Sequence, residues 1–336
     1  MTNRYAAFLA ILTLGSVSGC AGMPDTTSSE PSADAVEAVD GLYDGEPEVV
    51  FATEFPVASV EEALRRAETA LSEGNTDLAL YMYVRAYDLD SESIHALLRI
   101  AGIHRARGNT MLESRALTRA LQVDPGNPVA LQSLGLIYLQ AKRPDEARQL
   151  LERAVAREPS LWRAQNGLGV LADMRDDHLA AVEAYDRALA ARPGDASLLN
   201  NRGYSYYLAG DYLSAARDFS VAAGQGMERA YLNLGLVQAR QSQYAEAVQT
   251  MSRVVATEVA YNDVGYIAMR QGDVALAETY FRKAIRLSPR YFDAAEKNLA
   301  RLRESAADAA TGPVALISET MQPESQAAAA LAAEGD

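Results

Sequence analysis

Small and apolar positions in this chain recur on a fixed register. The segments "LGLIY", "LGVLA" and "RGYSY" place Gly135, Gly169 and Gly203 in the same setting, 34 residues apart each time. Pro125, Pro159 and Pro193 keep the same step. Ala147, Ala181 and Ala215 follow each glycine by twelve residues, and Ala154, Ala188 and Ala222 fall seven further on. A pair of helices per period accounts for this register. Gly and Ala let the two helices lie close, Leu or an aromatic ring fills the space beside them, and proline ends the second helix because its ring cannot continue the ladder. A pattern that repeats over 20–50 residues predicts a stacked array.

The residues at these places resemble the tetratricopeptide repeat. "LQSLGLIYLQAKRPDEARQLLERAVAREP" matches it at Leu134, Gly135, Tyr138, Ala147, Leu151, Ala154 and Pro159, and "LLNNRGYSYYLAGDYLSAARDFSVAA" at Gly203, Tyr206, Ala215, Phe219 and Ala222. Extending the register gives about seven units, starting near Val60, Ile94, Pro128, Trp162, Ala196, Glu228 and Glu258. The second unit has Ala101 for the glycine and Glu113 where alanine is expected. Gly203 to Gly235 is 32 residues and Gly235 to Gly265 is 30, so the fifth and sixth units are short. The sixth lacks its closing proline, and "SRVVATEVAYNDVGY" is expected to run on with hardly a loop and to change the superhelical pitch locally. "FDAAEKNLARLRE" is amphipathic and suits a helix that caps the last exposed face. The expected fold is all-α: a right-handed α-solenoid of about seven helix-turn-helix repeats with a C-terminal capping helix.

Composition sets the ends of this array. The net charge is −14, yet Ala21–Pro56 holds nine acidic residues and no base, and Ser305–Asp336 holds five and no base. The body is close to neutral. Nothing forms the basic stripe that nucleic-acid binding needs, and the acidic ends read as solvated segments.

The first twenty residues add an address. Arg4 precedes the apolar run "YAAFLAILTL", and "VSGC" follows, ending at Cys20, the only cysteine in the chain. The run is too short for a mature membrane helix and has the layout of a secretory signal. "VSGC" resembles the lipobox of bacterial lipoproteins. That resemblance implies cleavage before Cys20, acylation of Cys20 and a membrane anchor of two or three chains. Ala21, rather than Asp, after the cysteine implies the outer membrane, with the chain facing the periplasm. The expected organisation is a signal peptide over 1–19, the lipidated cysteine and an acidic disordered tether over 20–56, the repeat domain over 57–304, and a disordered Ala-rich tail over 305–336. As a random coil the tether would span roughly 30–35 Å.

Candidate catalytic motifs dissolve into the register. "GLGVLA" fits a dinucleotide fingerprint, but no strand precedes it and Gly169 is a repeat glycine. "DMRDDH" (Asp173–His178) falls at the turn between two helices and reads as a polar turn rather than a metal cluster. His95 and His104 are nine apart, which is not a ligand spacing on one helical turn. No hydrolase or phosphate-loop motif occurs. No catalytic residue, cofactor or metal is expected.

Binding is the expected activity. The wall of such an array is lined by first helices, and there the register places Arg163, Asn166, Asn200, Asn201, Tyr204, Tyr207, Arg229, Asn233, Asn262 and Tyr266. Asparagine can donate to and accept from a peptide backbone, tyrosine gives rigid apolar area, and arginine forks a carboxylate. The expected ligand is a protein or peptide segment.

At the family level, "LLNNRGYSYYLAGDY" and "AYNDVGYIAMRQGDVALAETYFRKAIRLSPRYFDAAEKNLARL" resemble the TadD-type lipoproteins of the tight-adherence (Flp) pilus apparatus. The resemblance implies a non-enzymatic assembly factor for the outer-membrane secretin. A pilotin-like lipoprotein of type IV pili, or an adaptor for periplasmic cell-wall enzymes, remains the alternative.

Overall fold

The computed structural model describes residues 39–43, 57–288 and 292–307 of the chain. Cys20, most of the Ala21–Pro56 segment, Pro289 and everything from Asp308 onward lie outside the described residues. Among those described, the chain is helical throughout. Seven helix pairs follow one another: α1 (Val60–Ser72) with α2 (Thr76–Leu89), α3 (Ile94–Ala106) with α4 (Thr110–Val123), α5 (Pro128–Gln140) with α6 (Pro144–Arg157), and α7 (Trp162–Asp173) with α8 (His178–Ala191). Then come α9 (Ala196–Leu208) with α10 (Tyr212–Gly224), α11 (Glu228–Arg240) with α12 (Tyr244–Met251), and α13 (Thr257–Gln271) with α14 (Val274–Leu287). A last helix, α15 (Asp293–Ala307), packs on α14 and α13. The seven expected units and the cap are all present, and the cap runs to Ala307, past the expected boundary at 304. None of these helices is long and apolar enough to cross a membrane.

Three local devices recur among the pairs. The turn between its helices carries one residue in the left-handed region: Gly74, Gly108, Lys142, Asp176, Gly210, Ser242 and Gly272. The residue before most second helices is Asn or Asp, whose side chain accepts from a backbone N–H of the first turn, as Asn75 does from Leu78 and Asp211 from Ser214. The register alanines Ala79, Ala147, Ala181, Ala215, Ala247 and Ala277 are wholly buried where the two helices touch.

Close approach explains the register glycines. A Cβ on Gly169 would stand 2.7 Å from the ring of Tyr185, itself buried, so the helices α7 and α8 can meet only without a side chain there. Gly102, on α3, has open space where a Cβ would be. Gly169→Ala is therefore expected to lower stability by about 1–3 kcal/mol, and Gly102→Ala to raise it by about 0.5–1 kcal/mol. Urea unfolding midpoints that shift the same way in both variants would contradict this packing.

The structure differs from the sequence reading in two places. In the sixth unit α12 stops at Met251 after eight residues, and Ser252–Val255 leave the helix through hydrogen bonds from the Val254 and Val255 amides to the Met251 carbonyl. A turn replaces the continuous run. With four residues missing from the repeat, the chain must leave α12 early to bring α13 into register. Second, Val39–Leu42 form a 3-10 turn rather than part of a featureless tether, and Leu42 is only 3% exposed against the first two repeats.

Candidate functional site

Successive first helices reach one another: α5 contacts α7, α7 contacts α9, α9 contacts α11 and α11 contacts α13. Their shared side is the inner wall, and the expected binding residues stand on α7, α9, α11 and α13.

The asparagines do not line an open surface. Asn166, Asn200, Asn201, Asn233 and Asn262 are all buried. They pair across neighbouring helices: Asn201 Nδ2 donates to Asn166 Oδ1 at 3.0 Å, and Asn233 Nδ2 donates to Asn200 Oδ1 at 2.9 Å. Asn298 Nδ2 of the cap donates to Asn262 Oδ1 at 3.0 Å, and Asn262 donates onward to Asp263. The expectation that these amides are free to grip a peptide is corrected. Stacked first helices bury polar backbone-sized groups between them, and a buried amide must find a partner. Tyr266 is buried as well.

Asp173 is a hub that the "DMRDDH" reading treated as a polar turn. Its Oδ1 accepts from His178 Nδ1 at 2.9 Å, and its Oδ2 from Ser205 Oγ at 2.7 Å and from Tyr185 OH at 3.4 Å. Burial raises its pKa above the ordinary aspartate value against the pull of these donors. Ser, His and Asp are the residue types of a hydrolase relay, but here serine and histidine both bond the carboxylate. In a relay the serine would bond the histidine. The arrangement is a clamp tying α7, α8 and α9 together. Among the described residues no group of three or more His, Cys, Asp or Glu is placed to hold a metal.

What remains open on the wall is aromatic and cationic. Tyr204 and Tyr207 on α9 are half-buried and stacked, with ring centroids 6.1 Å apart, and Tyr212 of α10 continues the row 5.6 Å from Tyr207. Tyr207 OH accepts from Arg240 Nε at 3.0 Å, and Arg240 is exposed at the end of α11. Burial pushes the Tyr204 phenol up to about 12, with Tyr207 and Asp173 adding to it, and raises that of Tyr207. Both remain protonated hydrogen-bond donors at neutral pH. Met174 and Leu208, the residues just after Asp173 and Tyr207, are 58% and 39% exposed. At the other end of α7 the Arg163 guanidinium lies 4.7 Å from the Trp162 ring, as does that of Arg192. Arg163 and Arg229 are part-exposed.

Of the ten expected wall residues, then, Tyr204, Tyr207, Arg163 and Arg229 keep accessible surface. Arg240 was missed, although it occupies the place on α11 that Leu208 holds on α9, five residues after the register glycine. Together these groups offer a row of part-buried, mutually tilted phenol rings beside an exposed guanidinium, chemistry suited to a peptide carrying apolar side chains and a carboxylate.

Comparison with known proteins agrees with this architecture. A family profile described as tetratricopeptide repeat matches residues 114–161, 133–196, 175–230 and 200–262, and a second of the same description matches 259–291. No curated protein matches the chain at a significant level. A tetratricopeptide repeat protein from Parabacteroides merdae ATCC 43184 is 16% identical, with 73% of this chain and 98% of that one covered and a TM-score of 0.50. The Cut9–Hcn1 hetero-tetramer of the APC/C is 15% identical over 76% of this chain and 51% of that one, with a TM-score of 0.50. Pseudomonas aeruginosa pilF is 19% identical over 73% and 97%, with a TM-score of 0.46. Likeness at this level is one of fold. The matched profiles together run from residue 114 to 291, more than half of the chain, on the same helix pairs that the structure stacks. The chain belongs to the tetratricopeptide-repeat family.

Proposed function

Tetratricopeptide repeats mediate protein–protein interactions, and we propose that this chain does so as a lipid-anchored scaffold in the bacterial outer membrane, facing the periplasm. In this reading Cys20 carries the anchor and the repeats hold a partner segment, with the secretin of a Flp-type pilus as the partner. The address and the partner rest on the lipobox and on the resemblance to TadD-type lipoproteins. The observation that carries the binding role is the open strip of Tyr204, Tyr207 and Arg240, a row of rigid aromatic surface beside an exposed guanidinium in an otherwise internally paired wall.

The test is crosslinking in native envelopes, comparing the natural chain with Tyr204→Ala/Tyr207→Ala/Arg240→Ala. The triple variant is expected to keep its helicity and to lose at least tenfold in secretin capture. A Cys20→Ser arm is expected to move the chain from the membrane to the soluble fraction and to abolish palmitate labelling. Secretin capture undiminished in the triple variant would place binding on another surface. Recovery of cell-wall enzymes without secretin would replace the pilus reading with the adaptor one.

A further inference from the structure

The turn at the N-terminal end of the described chain is held in the manner of a bound peptide. Two successive carbonyls are read by side chains: Arg115 Nη1 of α4 donates to Gly41 O at 2.8 Å, and His104 Nε2 of α3 donates to Leu42 O at 2.8 Å. The Leu42 side chain joins a buried cluster to which helices α1 to α5 all contribute. The Tyr43 ring stands edge-on to Tyr81 of α2, with centroids 6.0 Å apart. A side chain at position 41 would meet only the mobile end of the exposed Arg115 side chain, so the contacts that define the site are those of the carbonyls, Leu42 and Tyr43. Backbone carbonyls met by side-chain donors, one buried apolar anchor and an aromatic neighbour are the elements of peptide recognition.

We propose that α2, α3 and α4 form a second peptide-binding site, distinct from the strip on α9, which takes a Gly-Leu-Tyr segment and is filled by this chain's own residues 41–43. Only thirteen residues, 44–56, join the docked segment to Val57. A connection of that length sets an effective concentration on the order of millimolar. The segment therefore outcompetes a free peptide of equal intrinsic affinity at any lower concentration, and the site opens to others when the cis segment is displaced.

The test uses the full chain and a fluorescein-labelled synthetic peptide of residues 37–46. In Leu42→Asp/Tyr43→Ala the cis segment is disabled. That variant is expected to keep the helicity of the natural chain and to bind the labelled peptide saturably, at least tenfold more tightly than the natural chain does. Adding Tyr81→Ala and Arg115→Ala to it is expected to weaken binding at least tenfold. Absence of saturable binding to the opened variant, or equal binding to both chains, would overturn the proposal. So would loss of helicity on opening, since the segment would then be a part of the core and not a ligand.

Discussion

Arg202→Met is expected to destabilise the repeats by about 2–4 kcal/mol, the cost of leaving a buried carboxylate without its cation. Arg202 on α9 donates from Nε and Nη2 to the two oxygens of Asp218 on α10, at 2.7 and 2.8 Å, and from Nη1 to Asp186 of α8 at 2.6 Å. It thus joins the fourth unit to the fifth through one planar group. The bond to Asp218 is the main reason its pKa lies above the usual guanidinium range. Asp218 is buried, whereas Asp186 is exposed and can fall back on water. The loss therefore comes chiefly from Asp218. Replacing both partners, Arg202→Met with Asp218→Leu, is expected to recover most of the stability, because an apolar pair of similar volume has no charge to desolvate. Urea unfolding of the two variants decides it: a double variant no more stable than Arg202→Met would mean the arginine acts by packing alone.

Glu113→Gln is expected to stabilise the protein above neutral pH by about 2–3 kcal/mol relative to the natural chain, and to do nothing below about pH 4.5. Glu113 stands where six other second helices carry a fully buried alanine, and it is itself only 6% exposed. Burial pushes its carboxyl up to about 7, with Arg105 pulling weakly the other way. In the unfolded chain the same group titrates near 4.5. Between these values the folded form keeps a proton that the unfolded form has released, so stability falls as pH rises through that window and stays low above it. Unfolding midpoints at pH 4.5, 6 and 8 measure the effect. Parallel pH profiles for Glu113→Gln and the natural chain would mean the carboxylate finds compensation in the fold.

Glu113 also marks what the sequence makes legible. As a departure from the alanine register it is visible without coordinates, and the register itself assigns every helix pair, since small residues at fixed steps reflect contacts inside one repeat. Contacts between repeats are a different matter. The asparagines at Asn166, Asn201, Asn200 and Asn233 read equally well as ligand-facing or as self-paired, because the 33–35 residues separating partners leave no local pattern in hydropathy. Asp173 was hidden for the same reason, its serine donor lying one repeat away. Arg240 was hidden because its counterpart one unit earlier is the apolar Leu208, and its partner Tyr207 lies 33 residues back. The docked Gly41–Tyr43 segment has no periodicity to betray it, since its contacts come from side chains 38 to 74 positions further on.

That docked segment also bears on distance. An extended chain gains at most about 3.5 Å per residue. If Cys20 is fixed in a lipid leaflet, the nineteen steps to Val39 allow the first repeats to rise no more than about 65 Å from it, whatever path those residues take. Were the first attachment at Val57, the ceiling would be nearly twice that, about 130 Å. Under that anchoring, the contacts of residues 41–43 would halve the distance at which the repeats can stand from the leaflet, and releasing them would restore it.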